Sequence, residues 1–271
     1  MRVQSGDVAL DVHVDGPDDG HPVLLLHGWP DSHRLWRHQL PALHAAGLRT
    51  ITPDLRGFGA SDRPDEVAAY GLADTLADVG VVLDAAGAER AHVVGHDWGA
   101  AVAWLIAGLL PDRVDKLAAL SVGHTMAFRD AGLPQREKSW YMLMFQFAGI
   151  AEQWLSDDGW ANFRATFAHP DADAVTEELA RPGALTASLN WYRANVPPEV
   201  LFGAGIELPP VAAPTLGVWS SGDRFLVEEG MTGSAGYVTG PWRYERLDGA
   251  GHWMQLEAPD AVNALLVDFL A

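Results

Sequence analysis

The chain has 271 residues, 48% of them hydrophobic, enough apolar material for one large α/β domain carrying an insertion. Its formal charge of −18 disfavours nucleic acid and anionic substrates, and otherwise serves solubility. With no cysteine, disulfides, thiolate metal sites and thiol nucleophiles are excluded.

The first ten residues mix charged and apolar side chains and lack the apolar centre of a secretory signal. No run of about 18 apolar residues suggests a membrane span, so a cytoplasmic location without membrane contact is expected. Residues 8–14 alternate like a strand at a sheet edge, and residues 23–26 form an apolar run leading into His27-Gly28-Trp29-Pro30. A helical pattern over 35–46 precedes a strand at 48–52, and a second helix over 72–86 precedes a strand at 91–95. A helix over 99–110 and a strand at 114–122 follow. This alternation predicts an α/β fold with a mostly parallel sheet and helices on both faces. From 128 to 208 the strand signals stop, and aromatic residues and helix formers take over. Strands at 215–219 and 242–247 and an amphipathic helix over 261–270 close the chain. The expected organisation is a core of residues 1–127 and 210–271 with a helical cap at 128–209. Pro197-Pro198 and Pro209-Pro210 mark the exit from the cap.

The segment Gly95-His96-Asp97-Trp98-Gly99 lies between a predicted strand and a predicted helix. Such a turn strains its middle residue and needs small neighbours so that strand and helix approach closely. It presents Asp97 at the carboxyl edge of the sheet, with a helix N-terminus behind it. A carboxylate is already ionised at neutral pH and attacks an electrophilic sp3 carbon to give an ester, whereas it suits carbonyl attack poorly. The competing role is that of a helix N-cap. Asp223 and His252 follow the last strands in the order nucleophile, acid, base, so His252 is expected to deprotonate a water while Asp223 orients the ring. The N–H groups of Trp98 and Trp29 are the expected oxyanion donors.

Together, His27-Gly28-Trp29-Pro30, Asp54-Leu55-Arg56-Gly57-Phe58-Gly59-Ala60-Ser61, Gly95-His96-Asp97-Trp98-Gly99 and Gly251-His252-Trp253 resemble the epoxide hydrolases of the α/β-hydrolase fold, over nearly the whole chain. The resemblance implies two cap tyrosines that hold the epoxide oxygen and protonate it as the ring opens. Trp140-Tyr141-Met142-Leu143-Met144-Phe145-Gln146 and Asn190-Trp191-Tyr192-Arg193 are similar to the segments that carry them, which assigns Tyr141 and Tyr192. A phenol of pKa about 10 is acidic enough to protonate a developing alkoxide. The implied partners are a small neutral epoxide and water, with Trp29, Trp98, Phe145 and Trp191 around the substrate. Neither cofactor nor metal is required, and a monomer or homodimer is expected. The core motifs are shared with haloalkane dehalogenases, which form the alternative reading: Trp98 would then donate to a leaving halide. Fluoroacetate-type enzymes carry arginines just after the nucleophile, where this chain has Trp98 and Ala101. A ligand receptor that has lost catalysis is a third reading, weakened because every core position is filled.

Overall fold

A computed structural model describes residues 1–203 and 207–271. The apolar runs become strands β1 (Arg2–Ser5), β2 (Val8–Asp15), β3 (His21–Leu26), β4 (Leu48–Pro53), β5 (Ala91–His96), β6 (Val114–Leu120), β7 (Thr215–Ser220) and β8 (Trp242–Leu247). They form one eight-stranded sheet in the order β1-β2-β4-β3-β5-β6-β7-β8. β1 and β2 pair antiparallel, as do β2 and β4, and every later pairing is parallel. β5 and β7 are buried along their whole length, which is why they read as continuous rather than alternating apolar runs.

Helices α1 (Leu40–Ala45), α2 (Leu72–Ala85) and α3 (Trp98–Leu109) flank the first half of the sheet. Among the described residues between β6 and β7 lie helices α4 (Thr125–Asp130), α5 (Gly132–Lys138), α6 (Trp140–Phe145), α7 (Ile150–Phe167), α8 (Ala172–Leu179), α9 (Ala184–Asn195) and α10 (Pro198–Leu201), followed by a single bridge of Val211 to Val238. The backbone of α7 kinks at Asp157–Trp160. After β7 come α11 (Glu228–Thr232), α12 (Met254–Glu257) and α13 (Pro259–Leu270). The expected mostly parallel sheet with flanking helices is therefore present.

Three local expectations change. Residues 8–14 are not an edge, because β1 pairs outside β2 through a turn at Gly6, whose φ is +57°. The helix expected over 35–46 breaks into a 3-10 turn at His33–Trp36 and then α1. Pro41 lies in the first turn of α1, where its missing N–H is tolerated; inside one continuous helix it would remove a hydrogen bond and clash with the preceding turn. β6 stops at Leu120, because Ser121 takes φ +67° and leaves the extended conformation.

α3 is apolar on all sides and, apart from half-buried Ala101, buried from Trp98 to Ala107, so it packs directly on the sheet. The loop 54–61 is held by buried polar contacts. Arg56 makes two 2.7 Å bonds to Asp78 on α2, with both side chains about 5% exposed. The Arg56 carbonyl accepts the Trp191 indole N–H at 3.0 Å, tying this loop to α9. Asp54 accepts from the His33 and Ala60 N–H groups and from the His33 ring. Burial pushes its pKa up, but His33 outweighs that and holds it at about 2. Replacing Asp78 by Ala strands the Arg56 charge in the interior, so unfolding in urea should show a loss of about 3–5 kcal/mol; a loss under about 1 kcal/mol would mean that the pair does not hold the loop.

Candidate active site

β5 feeds Asp97 directly into α3, and the turn between them is tight. Asp97 has φ 52° and ψ −122°, a conformation costly for a residue with a side chain. Close packing enforces it. A Cβ on Gly99 would come within 2.1 Å of the Leu26 carbonyl oxygen, and one on Gly95 within 2.2 Å of the Gly99 carbonyl oxygen. Strand, turn and helix can sit this close only with glycine at both positions.

Asp97 stands at the N-terminus of α3 but makes no side-chain cap hydrogen bond. Instead its Oδ1 accepts the Trp29 backbone N–H at 2.8 Å. The 27–30 loop comes this near because Gly28 has no side chain: a Cβ there would lie 2.4 Å from the Asp97 Cβ. The loop is braced by His27, whose Nε2 accepts the Leu55 N–H at 3.0 Å while Nδ1 donates to the Gly28 carbonyl. Burial lowers the His27 pKa, consistent with this neutral tautomer. Trp98 begins α3, so its N–H belongs to the unpaired end of the helix beside Asp97.

His252 and Asp223 come from the loops after β8 and β7 and meet at Asp97. Asp223 Oδ2 lies 2.9 Å from His252 Nδ1, and Oδ1 accepts the Phe225 and Leu226 N–H groups at 2.8 and 2.9 Å. His252 Nε2 faces Asp97 Oδ2 at 3.6 Å, close enough for attraction but long for a hydrogen bond. Burial alone would lower the His252 pKa; the Asp223 and Asp97 carboxylates outweigh it and raise the pKa to about 10. Burial would raise the Asp223 pKa, but His252 and the two N–H donors hold it below the usual range. The resting site is therefore an imidazolium between two carboxylates. Next to it His96, pushed by burial and by His252 to about 4, is neutral and lies 2.9 Å from the His252 carbonyl through Nε2.

The two tyrosines come from different helices and converge. Tyr141 on α6 and Tyr192 on α9 are 3% and 1% exposed, with ring centroids 6.0 Å apart and the rings edge to face. Burial first, then the Asp97 charge, drives both phenol pKa values well above 10. The Trp98 ring packs edge-on against Tyr192, with centroids 5.2 Å apart. Arg193 fixes the spacing of the two helices, through the Phe145 carbonyl at 2.9 Å and Glu152 at 2.9 Å.

Of the other expected residues, Phe145 and Trp191 are fully buried, Phe145 against Trp29 and Tyr192 and Trp191 against Trp98. Two further aromatic residues of the cap segment, Trp140 and Phe147, are 48% and 58% exposed. Sequence reasoning missed Phe167 and Phe225, whose stacked rings lie 5.6 Å apart beside Tyr141. A cavity of about 250 Å3, lined by Phe167, Ala168, Arg224, Phe225, His252 and Trp253 among others, reaches the imidazole. A larger pocket of about 500 Å3 lies between the His33–Trp36 turn and α8 and includes neither carboxylate of the site nor His252. Also missed was a buried link from Asp31 to the Trp253 indole at 3.0 Å and the His169 ring at 3.2 Å, which joins the 27–31 loop, the base loop and the end of α7. Its only sequence signal is that Asp31 adjoins one motif and Trp253 closes another.

The α/β hydrolase fold model matches residues 21–259 of this chain. Epoxide hydrolase A of Mycobacterium tuberculosis is 34% identical, over 99% of this chain and 96% of that protein. Epoxide hydrolase 3 of Xenopus tropicalis is also 34% identical, over 100% of this chain and 77% of that protein. Among solved structures, the Bacillus megaterium epoxide hydrolase in complex with an inhibitor matches with a TM-score of 0.89 at 26% identity, covering 100% of this chain and 99% of that one.

Replacing Asp97 by Asn removes one of the two charges that raise the His252 pKa. By NMR titration of the ring nitrogens, that pKa should fall by roughly one to three pH units. Because the folded pKa is raised, its stabilising effect is full below 6.5, the ordinary value, and is lost as pH rises towards about 10. The variant should flatten that alkaline decline in unfolding free energy, and an unchanged titration would refute the charge coupling.

Proposed function

The chain belongs to the α/β-hydrolase family, and from this we propose that it is an epoxide hydrolase that adds water to a small neutral epoxide, giving a vicinal diol through an alkyl ester on Asp97. The core of residues 1–127 and 210–271 carries the nucleophile, acid and base, and the cap at 128–209 carries the proton donors. The observation that carries this reading is an Asp97 carboxylate that caps no helix and faces, under two buried phenols, a histidine paired to a second carboxylate.

In the first half, Asp97 Oδ2 attacks an epoxide carbon while the Trp29 N–H holds Oδ1. The carbon–oxygen bond breaks, and Tyr141 or Tyr192 gives its proton to the departing oxygen. Their raised pKa values keep both phenols protonated until an alkoxide develops. Esterification cancels the Asp97 charge, and with it one cause of the high His252 pKa. The imidazolium then releases the proton that refills the phenolate, and neutral His252 becomes the base.

In the second half, water attacks the Asp97 carboxyl carbon and His252 takes its proton. The N–H groups of Trp29 and Trp98 stabilise the oxyanion. Collapse expels the diol alkoxide, which takes the proton of the new Asp97 carboxyl group. The site returns to carboxylate, imidazolium and phenol, so the protons balance. The cavity beside His252 supports a path for this water that does not cross the tyrosine pair. Two buried phenols 6.0 Å apart, for which halide release has little use, support epoxide opening over dehalogenation.

A single turnover in oxygen-18 water should place the label in Asp97 and leave the first diol unlabelled, read by mass spectrometry of the active-site peptide; label entering the first diol directly would defeat the covalent route. Tyr141→Phe and Tyr192→Phe should each lower kcat for epoxide opening by about 10²-fold or more, and the double variant should be inactive. Retention of full activity by the double variant would remove the tyrosines from the chemistry.

A further inference from the structure

We propose that His21, His92 and Asp115 form a binding site for a divalent transition-metal ion, of the zinc or nickel class, at the edge of the sheet opposite Asp97. The three residues sit on three neighbouring strands: His21 opens β3, His92 is near the start of β5 and Asp115 near the start of β6. One donor atom from each lies within 4.8 Å of the others. His21 Nε2 is 3.0 Å from Asp115 Oδ2, and the His21 and His92 ring centroids are 4.3 Å apart.

The strands are built to bring these groups together. The β5–β6 register pairs Ala91 with Val114 but Val93 with Leu117, so Asp115 and Lys116 both stand against His92. Such a bulge re-aims a side chain that regular pairing would send elsewhere. Lys116 turns its ammonium to the Phe269 and Leu270 carbonyls, at 2.8 and 3.2 Å. Arg90 occupies Asp115 Oδ1 at 2.5 Å, which leaves Oδ2 on the histidine side.

His92 supplies the second observation. It is 6% exposed, yet its Nδ1 has no hydrogen-bond partner. Buried polar atoms are almost always paired, so a bare imidazole nitrogen beside a second imidazole and a carboxylate is a position that a metal ion would satisfy. Two imidazoles and one carboxylate favour zinc, nickel or cobalt over calcium or magnesium, and the exposed side leaves room for water to complete the shell. A second His–His–Asp cluster, His13–His33–Asp54, is a poorer candidate, because its carboxylate already accepts the His33 and Ala60 N–H groups.

His92 lies near the start of β5 and Asp97 just past its end, five residues on and about 16 Å away at strand rise, so the ion takes no part in the chemistry. Its effect would be to pin the ends of β3, β5 and β6 to one another. The test is titration of the chelator-treated full chain with Zn2+ at pH 7.5, by calorimetry and by thermal unfolding. The expected result is one equivalent bound in the micromolar range or tighter, with Tm raised by at least about 3 °C in excess metal. His21→Ala and Asp115→Asn, both near the surface, should each weaken binding at least about tenfold, and His33→Ala should not. Visible absorption of the Co2+ form, lost in the first two variants, reports the ligands directly. No binding, or binding left unchanged by His21→Ala with Asp115→Asn, overturns the site.

Discussion

Everything at this site depends on one turn of backbone. Asp97 is held at φ 52° and ψ −122° between β5 and α3, and the strain persists because the elements around it leave no alternative. α3 is apolar on every side and lies on the sheet, so the chain has to reverse within a few residues of leaving β5. Gly95 and Gly99 permit the approach of strand to helix, and Gly28 permits the approach of the 27–30 loop to the carboxylate. The Trp29 N–H is consequently aimed at Asp97 Oδ1 before any substrate arrives.

That fixed carboxylate sets the protonation of its neighbours. With Asp97 and Asp223 on either side, His252 rests as imidazolium; without the Asp97 charge it is free to become a base. Asp97 also helps to keep Tyr141 and Tyr192 protonated. One charge thus bears on both phenols and on the imidazole, and in the proposed mechanism esterification would remove it in a single step. His96, neutral and buried beside His252, holds the base loop without adding a competing charge.

The helices between β6 and β7 are joined to this centre by specific polar contacts. Lys138 and Gln135 on α5 bond the carbonyls of Asp223, Leu226 and Phe225, so the loop carrying the acid is clamped from above. Asp31, His169 and Trp253 connect the end of α7 to both the 27–31 loop and the base loop. Burial would raise the Asp31 pKa, but His169 outweighs it and keeps the carboxylate ionised. Trp191 anchors α9 on the Arg56 carbonyl, and Arg56 is itself paired to Asp78. The phenols are therefore positioned relative to Asp97 through charged groups buried well away from the chemistry.

Much of this was legible in the sequence because it is local. The strand–turn–helix around Asp97 is encoded by an apolar run, two glycines and a helical pattern within about twenty residues. Asp223 and His252 were legible because each follows a strand directly, and parallel strands deliver their carboxyl ends to one edge. The convergence of Tyr141 and Tyr192 could be named only through resemblance, since the crossing of α6 and α9 depends on long-range contacts such as Arg193 with Phe145 and Glu152. The edge strand β1 escaped notice because four residues carry too little periodicity, and the break in residues 35–46 turned on a single proline. The Asp31–His169–Trp253 link and the His21–His92–Asp115 cluster draw on residues far apart in sequence, whose meeting depends on register, a bulge and helix packing. The sequence by itself determined the order of elements and the chemistry of the turn, because each rests on neighbouring residues. Only the tertiary structure decided which buried groups meet and in which protonation state, because desolvation and through-space charge exist only once distant segments pack together.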